Sequence, residues 1–336
     1  MASNSSKLMF TAIMILGTLT TINASNWLGI WMGLEINLIA FTPLIFKPKQ
    51  TSMSEASMIY FLAQSLGSAV MLMIIVSNNL LMEPLSAINP STATSLAASL
   101  MLKLGMAPVH MWFPEVMSKM SWGSALLLLT WQKIAPMVVL SYVVEKSMVI
   151  YILVMVSTFV GAVGGLNQTS LRKIMAYSSI SHMGWMVACM KMENNLWIAY
   201  LIIYMVMVTL AIILFEKTSM YYINQINLNL LTPMEKIMYV TLFMSLGGLP
   251  PFLGFLPKWL VIQSMIGHSL YMVLTVMVLT TLITLLYYMR MMMIMSMMSS
   301  SMNKWNMGFK PPHRSLVILI LVINLSTPLV SVFMLM

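Results

Sequence analysis

Charged side chains are scarce along the whole of this sequence, and their scarcity limits what the chain can fold into. Only 7% of its 336 residues are charged, with 17 Lys or Arg and 8 acids, all of them Glu. Soluble domains carry about 25% charged residues, so this chain cannot cover a soluble core with a polar surface. Its net charge of +9 is scattered rather than clustered, which also argues against nucleic-acid binding. The composition predicts an all-α polytopic membrane protein in a lipid bilayer.

Sequence motifs that hold nucleotides, flavins or metals are missing from the chain. The single Cys189 cannot hold an iron–sulfur cluster, which needs several thiolates. We therefore expect no cofactor and no metal in this chain, and any redox chemistry to take place in other proteins.

Apolar segments of about 20 residues, separated by polar ones, predict about 11 transmembrane helices. The predicted spans are 8–24, 27–46, 56–77, 93–119, 122–144, 148–165, 172–190, 195–215, 236–266, 269–294 and 314–334. With this assignment twelve Lys or Arg share one side of the membrane with the N-terminus: Lys7, Lys47, Lys49, Lys119, Arg172, Lys173, Lys217, Lys236, Arg290, Lys304, Lys310 and Arg314. Only Lys146 and Lys191 fall on the other side. By the positive-inside rule, the N-terminus faces the compartment in which the chain is made.

Four charged residues remain inside predicted spans, namely Glu35, Lys103, Lys133 and Lys258. Each costs about 2.5–3.5 kcal/mol at the centre of a bilayer on insertion scales. One interpretation is an ion or proton route, and the other is buried ion pairs that only fix helix register. One Glu cannot neutralise three Lys, which favours a route. Lysine also suits proton transfer, because burial and neighbouring charges change its proton affinity, whereas arginine stays charged.

Two predicted spans are interrupted by Gly and Pro in a matching pattern. The fourth contains Gly105 and Pro108, and the ninth contains Gly247, Pro250 and Pro251. Proline removes a helical hydrogen-bond donor and clashes with the preceding turn. The pattern predicts two broken helices, each with a Lys beside the break. The alternative is that Gly and Pro are simply common in membrane helices.

The two breaks lie five spans apart, and an odd offset indicates inverted topology. Paired breaks in inverted repeats point to the ion site of a transporter. The predicted organisation is a first five-helix repeat over 1–145, a second inverted five-helix repeat over 146–294, and a loop with a C-terminal helix over 295–336.

Three further titratable residues are candidates for a proton relay. His182 lies in the seventh span, where it either relays protons or packs through a hydrogen bond. His110 and Glu115 follow the first break, where they either carry protons away from it or cap the second half-helix.

Five motifs in order along the chain carry a resemblance to a known family: Met32–Asn37, Leu102–Glu115, Thr130–Pro136, Gly164–Lys173 and Leu246–Trp259. They resemble the antiporter-like membrane subunits of NADH–ubiquinone oxidoreductase, the respiratory complex I, in a mitochondrially encoded form of insect type. Relatives of this family include cation/proton antiporters. The family typically has fourteen helices in two inverted five-helix repeats, and the animal form lacks the first three.

The resemblance implies a place in the mitochondrial inner membrane with the N-terminus in the matrix. It implies that Glu35 pairs with Lys103, that Lys133 is the central proton carrier, and that Lys258 lies on the exit side, with His182 between these two lysines. It also implies that NADH, FMN, iron–sulfur clusters and ubiquinone are bound by other subunits of the complex. The implied partners are other membrane subunits, including neighbouring antiporter-like ones.

These observations predict a proton-translocating subunit that couples electron transfer from NADH to ubiquinone with proton pumping. Two rival interpretations remain. One is a stand-alone cation/proton antiporter, which would share the repeats and the buried charges. The other is a structural subunit in which the buried lysines are remnants.

Overall fold

A computed structural model describes residues 4–47, 50–77, 89–144, 149–192, 196–225 and 233–297, together with positions 321, 322 and 324. These residues form α-helices, and the only β-pairing among them is an isolated bridge between Ser170 and Tyr222. In chain order the helices are α1 (Asn4–Asn23), α2 (Trp27–Ile45), α3 (Thr51–Ser77), α4 (Pro90–Leu104), α5 (Trp112–Lys119), α6 (Trp122–Leu129), α7 (Trp131–Val144), α8 (Ile150–Gly165), α9 (Leu171–Met192), α10 (Leu196–Lys217), α11 (Pro233–Gly247), α12 (Phe255–Gly267) and α13 (Tyr271–Met297).

Six helical segments are long and apolar enough to cross a membrane. They are Ser5–Asn23, Trp27–Ile45, Thr51–Ser77, Trp122–Val144, Leu196–Lys217 and Tyr271–Ile294. Two shorter apolar helices cover Ile150–Gly165 and Lys236–Gly247. The prediction of a polytopic, all-α membrane protein is confirmed, while the count of 11 spans stays a prediction. Most of the predicted span 314–334 and most of the loop 295–313 lie outside the described residues.

The chain forms two compact units, Met1–Ser157 and Thr158–Met336, whose boundary falls inside α8. The sequence predicts its repeat boundary at 145/146, before the start of α8.

In the first unit, α1 packs along α2, and α3 contacts α2, α4 and α5. The α1–α2 contact is close, because a Cβ added at Gly33 would lie 2.7 Å from the Thr20 hydroxyl and 2.9 Å from the Thr21 nitrogen. Small residues permit such close backbone approach in membrane proteins, where van der Waals packing drives helix association. The α7 helix contacts four other helices of the unit, α1, α2, α4 and α6.

In the second unit, α9 is the buried helix, and every residue from Ser178 to Met190 is buried. It packs against α10 and α12, while α11 contacts α10 and α13. Serine hydroxyls in α9 donate hydrogen bonds to backbone carbonyls three residues earlier. Ser178 donates to Met175 at 2.9 Å, and Ser181 donates to Ser178 at 2.7 Å. These hydrogen bonds satisfy buried hydroxyl groups that water does not reach.

Two helix interruptions occur where the Gly–Pro pattern predicts them. The α4 helix ends at Gly105, which has φ +68° and donates its N–H to Leu102 at 3.2 Å. The α11 helix ends just before Gly248, which has φ +80° and donates to Met244 at 3.1 Å. Glycine adopts this left-handed conformation without the penalty that a Cβ brings, so each glycine lets the chain turn out of its helix.

A third interruption was not predicted, since the sequence suggested one helix over 122–144. The α6 helix ends before Thr130, which has φ −110° and ψ −73° and whose hydroxyl donates to Leu126 at 2.7 Å. Pro136 has no N–H, so the carbonyl of Gln132 lacks its ordinary helical donor four residues on. Thr130 and Pro136 thus bracket the turn of helix that carries Lys133.

Candidate functional site

Two of the buried lysines predicted to move protons, Lys103 and Lys133, face one cavity of the first unit. The cavity has a volume of about 20 Å³, enough for about one water molecule. It is lined by Leu34, Asn37, Leu38, Tyr60, Gln64, Lys103, Leu104, Trp112, Phe113, Leu128, Gln132, Lys133 and Pro136. The Lys, Asn, Gln and Tyr side chains in this lining give a water molecule in the cavity polar partners to bridge.

Lys103 lies at the end of α4, directly before the first interruption, and is 5% exposed. Its backbone carbonyl accepts a hydrogen bond of 2.7 Å from Nε2 of Gln64 on α3. Its side chain crosses α3 at Gly67, where an added Cβ would lie 2.9 Å from Cγ of the lysine. The missing side chain at Gly67 therefore makes the room through which the Lys103 stem passes.

Glu35 lies on α2 and is half-buried, and its charge attracts the Lys103 ammonium. The ion pairs shorter than 4.0 Å among the described residues do not include these two groups, because they join Lys119 to Glu55 and to Glu115. Glu35 and Lys103 thus interact through space, rather than through a direct ion pair.

Lys133 is the third residue of α7, directly after the interruption at Thr130, and is 3% exposed. Its ammonium lies over the ring of Phe113, 5.6 Å from the ring centroid, which is a cation–π distance. Phe113 in turn packs against Gly105, where an added Cβ would lie 2.9 Å from Cβ of the phenylalanine. The first helix break and the central lysine therefore share one aromatic neighbour.

A chain of neutral polar side chains crosses the same cavity. Nε2 of Gln132 donates to Oδ1 of Asn37 at 3.0 Å, and the hydroxyl of Tyr60 donates to Oε1 of Gln132 at 3.3 Å. The chain joins α7 to α2 and α3. Gln132 directly precedes Lys133, and Asn37 lies two residues after Glu35.

The third lysine, Lys258, lies in α12 of the second unit and is 6% exposed. Its ammonium folds back over the second interruption and donates to the carbonyl of Gly247 at 2.9 Å. An added Cβ at Gly248 would lie 2.9 Å from Nζ of Lys258 and 3.0 Å from its Cδ. The freed end of α11 is therefore held by the lysine that follows the break.

His182 faces a separate small cavity of about 10 Å³ within the second unit. The cavity is lined by His182, Tyr200, Ile203, Tyr204, Met207, Ser245, Leu246, Gly254 and Pro257. Nδ1 of His182 is 2.9 Å from the hydroxyl of Tyr200, and its ring lies 5.3 Å from that of Tyr204. Because Gly254 and Pro257 belong to the segment that carries Lys258, the histidine and the break face the same space.

The other two relay candidates lie away from both cavity walls. His110 is partly exposed, with Nδ1 3.2 Å from the carbonyl of Pro108. Glu115 is exposed in the first turn of α5, where it accepts a hydrogen bond from Lys119 at 3.3 Å. Lys119 also pairs with Glu55 at 3.0 Å, which ties α5 to the start of α3.

Sequence reasoning missed several polar residues of these sites, above all Gln64 and Gln132. The available signal was a carboxamide inside an otherwise apolar span, which membrane helices do not retain without a partner. Gln132 also adjoins Lys133 in sequence, which marks it as a candidate neighbour of the central lysine.

A family model described as "NADH:quinone oxidoreductase/Mrp antiporter, TM" matches residues 24–284 of this chain. The buried lysines and all three helix interruptions lie inside this match. The chain therefore belongs to this family of multi-pass membrane proteins.

Within that family, similar proteins from several animals share one name. NADH-ubiquinone oxidoreductase chain 2 from Locusta migratoria is 42% identical over 284 residues, covering 84% of this chain and 82% of the relative. The protein of the same name from Anopheles gambiae is 43% identical over 281 residues, covering 81% of each. A shark relative of that name, from Scyliorhinus canicula, is 40% identical over 270 residues.

Solved structures share the fold at lower sequence identity. A chain of respiratory complex I from Thermus thermophilus superposes with a TM-score of 0.82 and 21% identity, covering 97% of this chain and 78% of that one. A chain of an Mrp complex from a Dietzia species gives a TM-score of 0.76 and 17% identity, covering 84% of this chain and 59% of that one.

Proposed function

We propose that this chain is the antiporter-like, proton-translocating membrane subunit of a mitochondrial NADH–ubiquinone oxidoreductase. The observation that carries the proposal is the placement of Lys103 and Lys133 on one cavity of a membrane protein, with Glu35 acting on Lys103. Retaining two buried cations in one unit is costly, and proton transfer gives a reason for that cost. The relatives named NADH-ubiquinone oxidoreductase chain 2 support the assignment to this enzyme.

In the first unit, the proposed event begins with a change at Glu35. When the charge of Glu35 changes or moves, the electrostatic field on Lys103 changes, and a proton passes between Lys103 and Lys133 through water in the shared cavity. Lysine can release its proton after such a change, which an arginine could not do.

In the second unit, the proposed exit runs through His182 and Lys258. The Lys258 ammonium is bound to the carbonyl of Gly247, so releasing its proton requires that this hydrogen bond open. His182 lines the neighbouring cavity, and its Nδ1 lies 2.9 Å from the hydroxyl of Tyr200. A proton relay there needs both groups to reach the same water.

The membrane topology is part of the proposal. We infer about 11 spans, inverted five-helix repeats over 1–145 and 146–294, the inner mitochondrial membrane as the location, and the N-terminus in the matrix. The concentration of Lys and Arg on the N-terminal side supports this orientation.

The redox chemistry belongs to the partners in this proposal. NADH, FMN, iron–sulfur clusters and ubiquinone are bound by other subunits, and neighbouring antiporter-like membrane subunits contact this chain. Among the described residues, His, Cys and Glu side chains do not gather in groups of three that could hold a metal ion.

The first test is whether the chain resides in the NADH-oxidising complex. Solubilised membranes are run on a native gel, stained for NADH oxidation, and the stained band is analysed by mass spectrometry. We expect the chain in that band. Its recovery only as a small species inactive with NADH would contradict the assignment.

The second test replaces Lys133 with Ala in the intact complex. We expect the complex to assemble and oxidise NADH with a soluble acceptor, while protons pumped per NADH decrease. Lys217→Ala, at an exposed lysine in the last turn of α10, is the control and should pump normally. Unchanged pumping in Lys133→Ala would remove Lys133 from the mechanism.

A stand-alone cation/proton antiporter is the second candidate, favoured by the shared fold with a chain of an Mrp complex. This candidate predicts Na⁺ or K⁺ flux when the chain is reconstituted without other subunits. The proposed function predicts that such vesicles show none.

A further inference from the structure

The hydrogen-bonded chain of Asn37, Gln132 and Tyr60 joins three helices, α2, α7 and α3, beside the proposed proton route. Asn37 and Tyr60 are each 3% exposed, and all three residues line the cavity shared by Lys103 and Lys133. None of the three carries a charge, so none is needed to neutralise the lysines. Their placement calls for a different explanation.

The position of Gln132 gives that explanation. It lies in the turn of α7 between Thr130 and Pro136, where helical hydrogen bonding is incomplete. Its side chain spans outward in two directions, to Asn37 on α2 and to Tyr60 on α3. These bonds tie the weakened turn, and with it Lys133, to two other helices.

The bond to Asn37 reaches the helix that carries Glu35. A displacement of α2 that changes the Glu35–Lys103 interaction would also pull on Asn37, because the two residues are separated by one position on the same helix. Gln132 would transmit that displacement to the residue beside it, Lys133. We propose that Asn37, Gln132 and Tyr60 are positioning residues that couple the location of Lys133 to that of Glu35. This inference rests on the proposed function, since it concerns the geometry of that same route.

The orientation of the Gln132 carboxamide sets the direction of both hydrogen bonds. Nε2 of Gln132 donates a hydrogen bond to Asn37, and Oε1 of Gln132 accepts a hydrogen bond from the hydroxyl of Tyr60. A leucine in place of Gln132 fills a similar volume and can make neither bond. The Lys133 turn would then sample positions other than the one that faces Lys103 across the cavity.

The experiment uses the intact complex in sealed vesicles and compares protons pumped per NADH with NADH oxidation by a soluble acceptor. The variants are Gln132→Leu, Asn37→Leu, the double variant and Tyr60→Phe. Gln263→Leu removes a carboxamide from an exposed position of α12 and is the matched control. Loss of one hydrogen bond should lower the population of the productive geometry about three- to tenfold, so we expect coupled pumping to fall by that factor in Gln132→Leu and in Asn37→Leu.

The double variant separates a shared role from two separate ones. If Asn37 and Gln132 act through their mutual hydrogen bond, the double variant pumps as many protons per NADH as the more impaired of the two single variants. Multiplied losses would show independent effects and overturn the proposal. Oxidation of NADH by the soluble acceptor should stay normal throughout, whereas a merely structural defect would lower it together with the yield of assembled complex.

Tyr60→Phe keeps the proposal testable if the leucine variants fail to assemble. The phenylalanine retains the ring contacts with Phe41 and Trp112, at 5.1 and 6.1 Å, and loses only the donor to Gln132. Because that bond is long, we expect a smaller loss of about twofold. Normal pumping in Tyr60→Phe and in every variant that assembles would overturn the inference.

If Lys133→Ala also pumps normally, the proposed function fails and the inference falls with it. If Lys133→Ala alone is impaired, only the inference fails.

Discussion

The ammonium of Lys258 donates a hydrogen bond of 2.9 Å to the backbone carbonyl of Gly247, across the gap between α11 and α12. Both groups are buried, and the chain between them contains three prolines, Pro250, Pro251 and Pro257, that cannot supply a backbone N–H. One side chain therefore both carries a candidate exchangeable proton and satisfies a carbonyl that the helix interruption leaves free.

Replacing Lys258 with Met tests both parts of this relationship. The methionine fills the channel of the lysine stem but leaves the Gly247 carbonyl without its donor, which costs about 1–3 kcal/mol when the group is buried. We expect a lower unfolding temperature of the complex and fewer protons pumped per NADH. Lys217→Met at an exposed position is the control. Unchanged stability and pumping would favour the structural-subunit interpretation, in which the lysine is a remnant.

Gly248→Ala should disturb the same site through the backbone. An alanine at φ +80° costs about 1–2 kcal/mol, and its Cβ would also meet Nζ of Lys258 at 2.9 Å. We expect reduced thermal stability of the complex together with impaired pumping. Gly123→Ala is the matched control, because a Cβ there meets nothing within 4 Å and lies in a helix, where alanine is favoured over glycine. Equal behaviour of the two variants would contradict the expectation.

Gly67→Ala tests whether the position of the Lys103 side chain matters for pumping, independently of the stability of α3. Alanine raises helix propensity by about 1 kcal/mol over glycine, so a substitution without steric consequence would stabilise the protein. At Gly67 the new Cβ would lie 2.9 Å from Cγ of Lys103 and 3.2 Å from a methyl carbon of Leu102. We expect displacement of the Lys103 stem and lower pumping, measured as protons per NADH in vesicles. Normal pumping would mean that the lysine chain moves aside without cost.

The sequence predicted those features that depend on local chemistry. Gly105 and the Gly–Pro segment after Gly247 interrupt helices through properties of their own residues, namely a left-handed φ and missing donors. The buried location of Lys103, Lys133 and Lys258 also followed from their positions inside apolar segments.

Contacts between distant residues were beyond the sequence pattern. Gln132 and Asn37 are 95 residues apart, and Arg290 reaches a carbonyl 124 residues away. Which helix faces which depends on tertiary packing, and a span pattern carries only the spacing along one helix. The interruption at Thr130 was also missed, because the predicted span 122–144 was taken as one continuous apolar helix.

Arg290 is expected to stabilise the connection between α8 and α9. Its two terminal nitrogens donate to the carbonyls of Leu166 at 2.6 Å and Gln168 at 2.8 Å. Hydrogen bonds from a charged group contribute about 1.5–3 kcal/mol, and the fork geometry suits two acceptors at once. We expect Arg290→Met to make this connection more susceptible to proteolysis, and Arg290→Lys to restore only part of the protection. Full protection by lysine would show that charge alone is enough.

Tyr200→Phe tests whether His182 relays a proton or only packs. The phenylalanine keeps the edge-to-face ring contact, with centroids 6.0 Å apart, but removes the hydroxyl that lies 2.9 Å from Nδ1. The partner at Nδ1 determines which ring nitrogen carries the proton and therefore what Nε2 can offer to the cavity. If His182 relays protons, losing this partner makes the tautomer indefinite, and we expect fewer protons per NADH in Tyr200→Phe and in His182→Gln.

The double variant of these two residues decides between the roles. A relay that acts through His182 predicts that adding Tyr200→Phe to His182→Gln changes pumping no further, because the hydroxyl then has no imidazole to orient. A packing role predicts normal protons per NADH in both single variants, with only a loss of about 1 kcal/mol in stability from the missing hydrogen bond. Measuring pumping and the unfolding temperature on the same preparations therefore distinguishes the two roles, and normal pumping in His182→Gln would remove this histidine from the proposed exit.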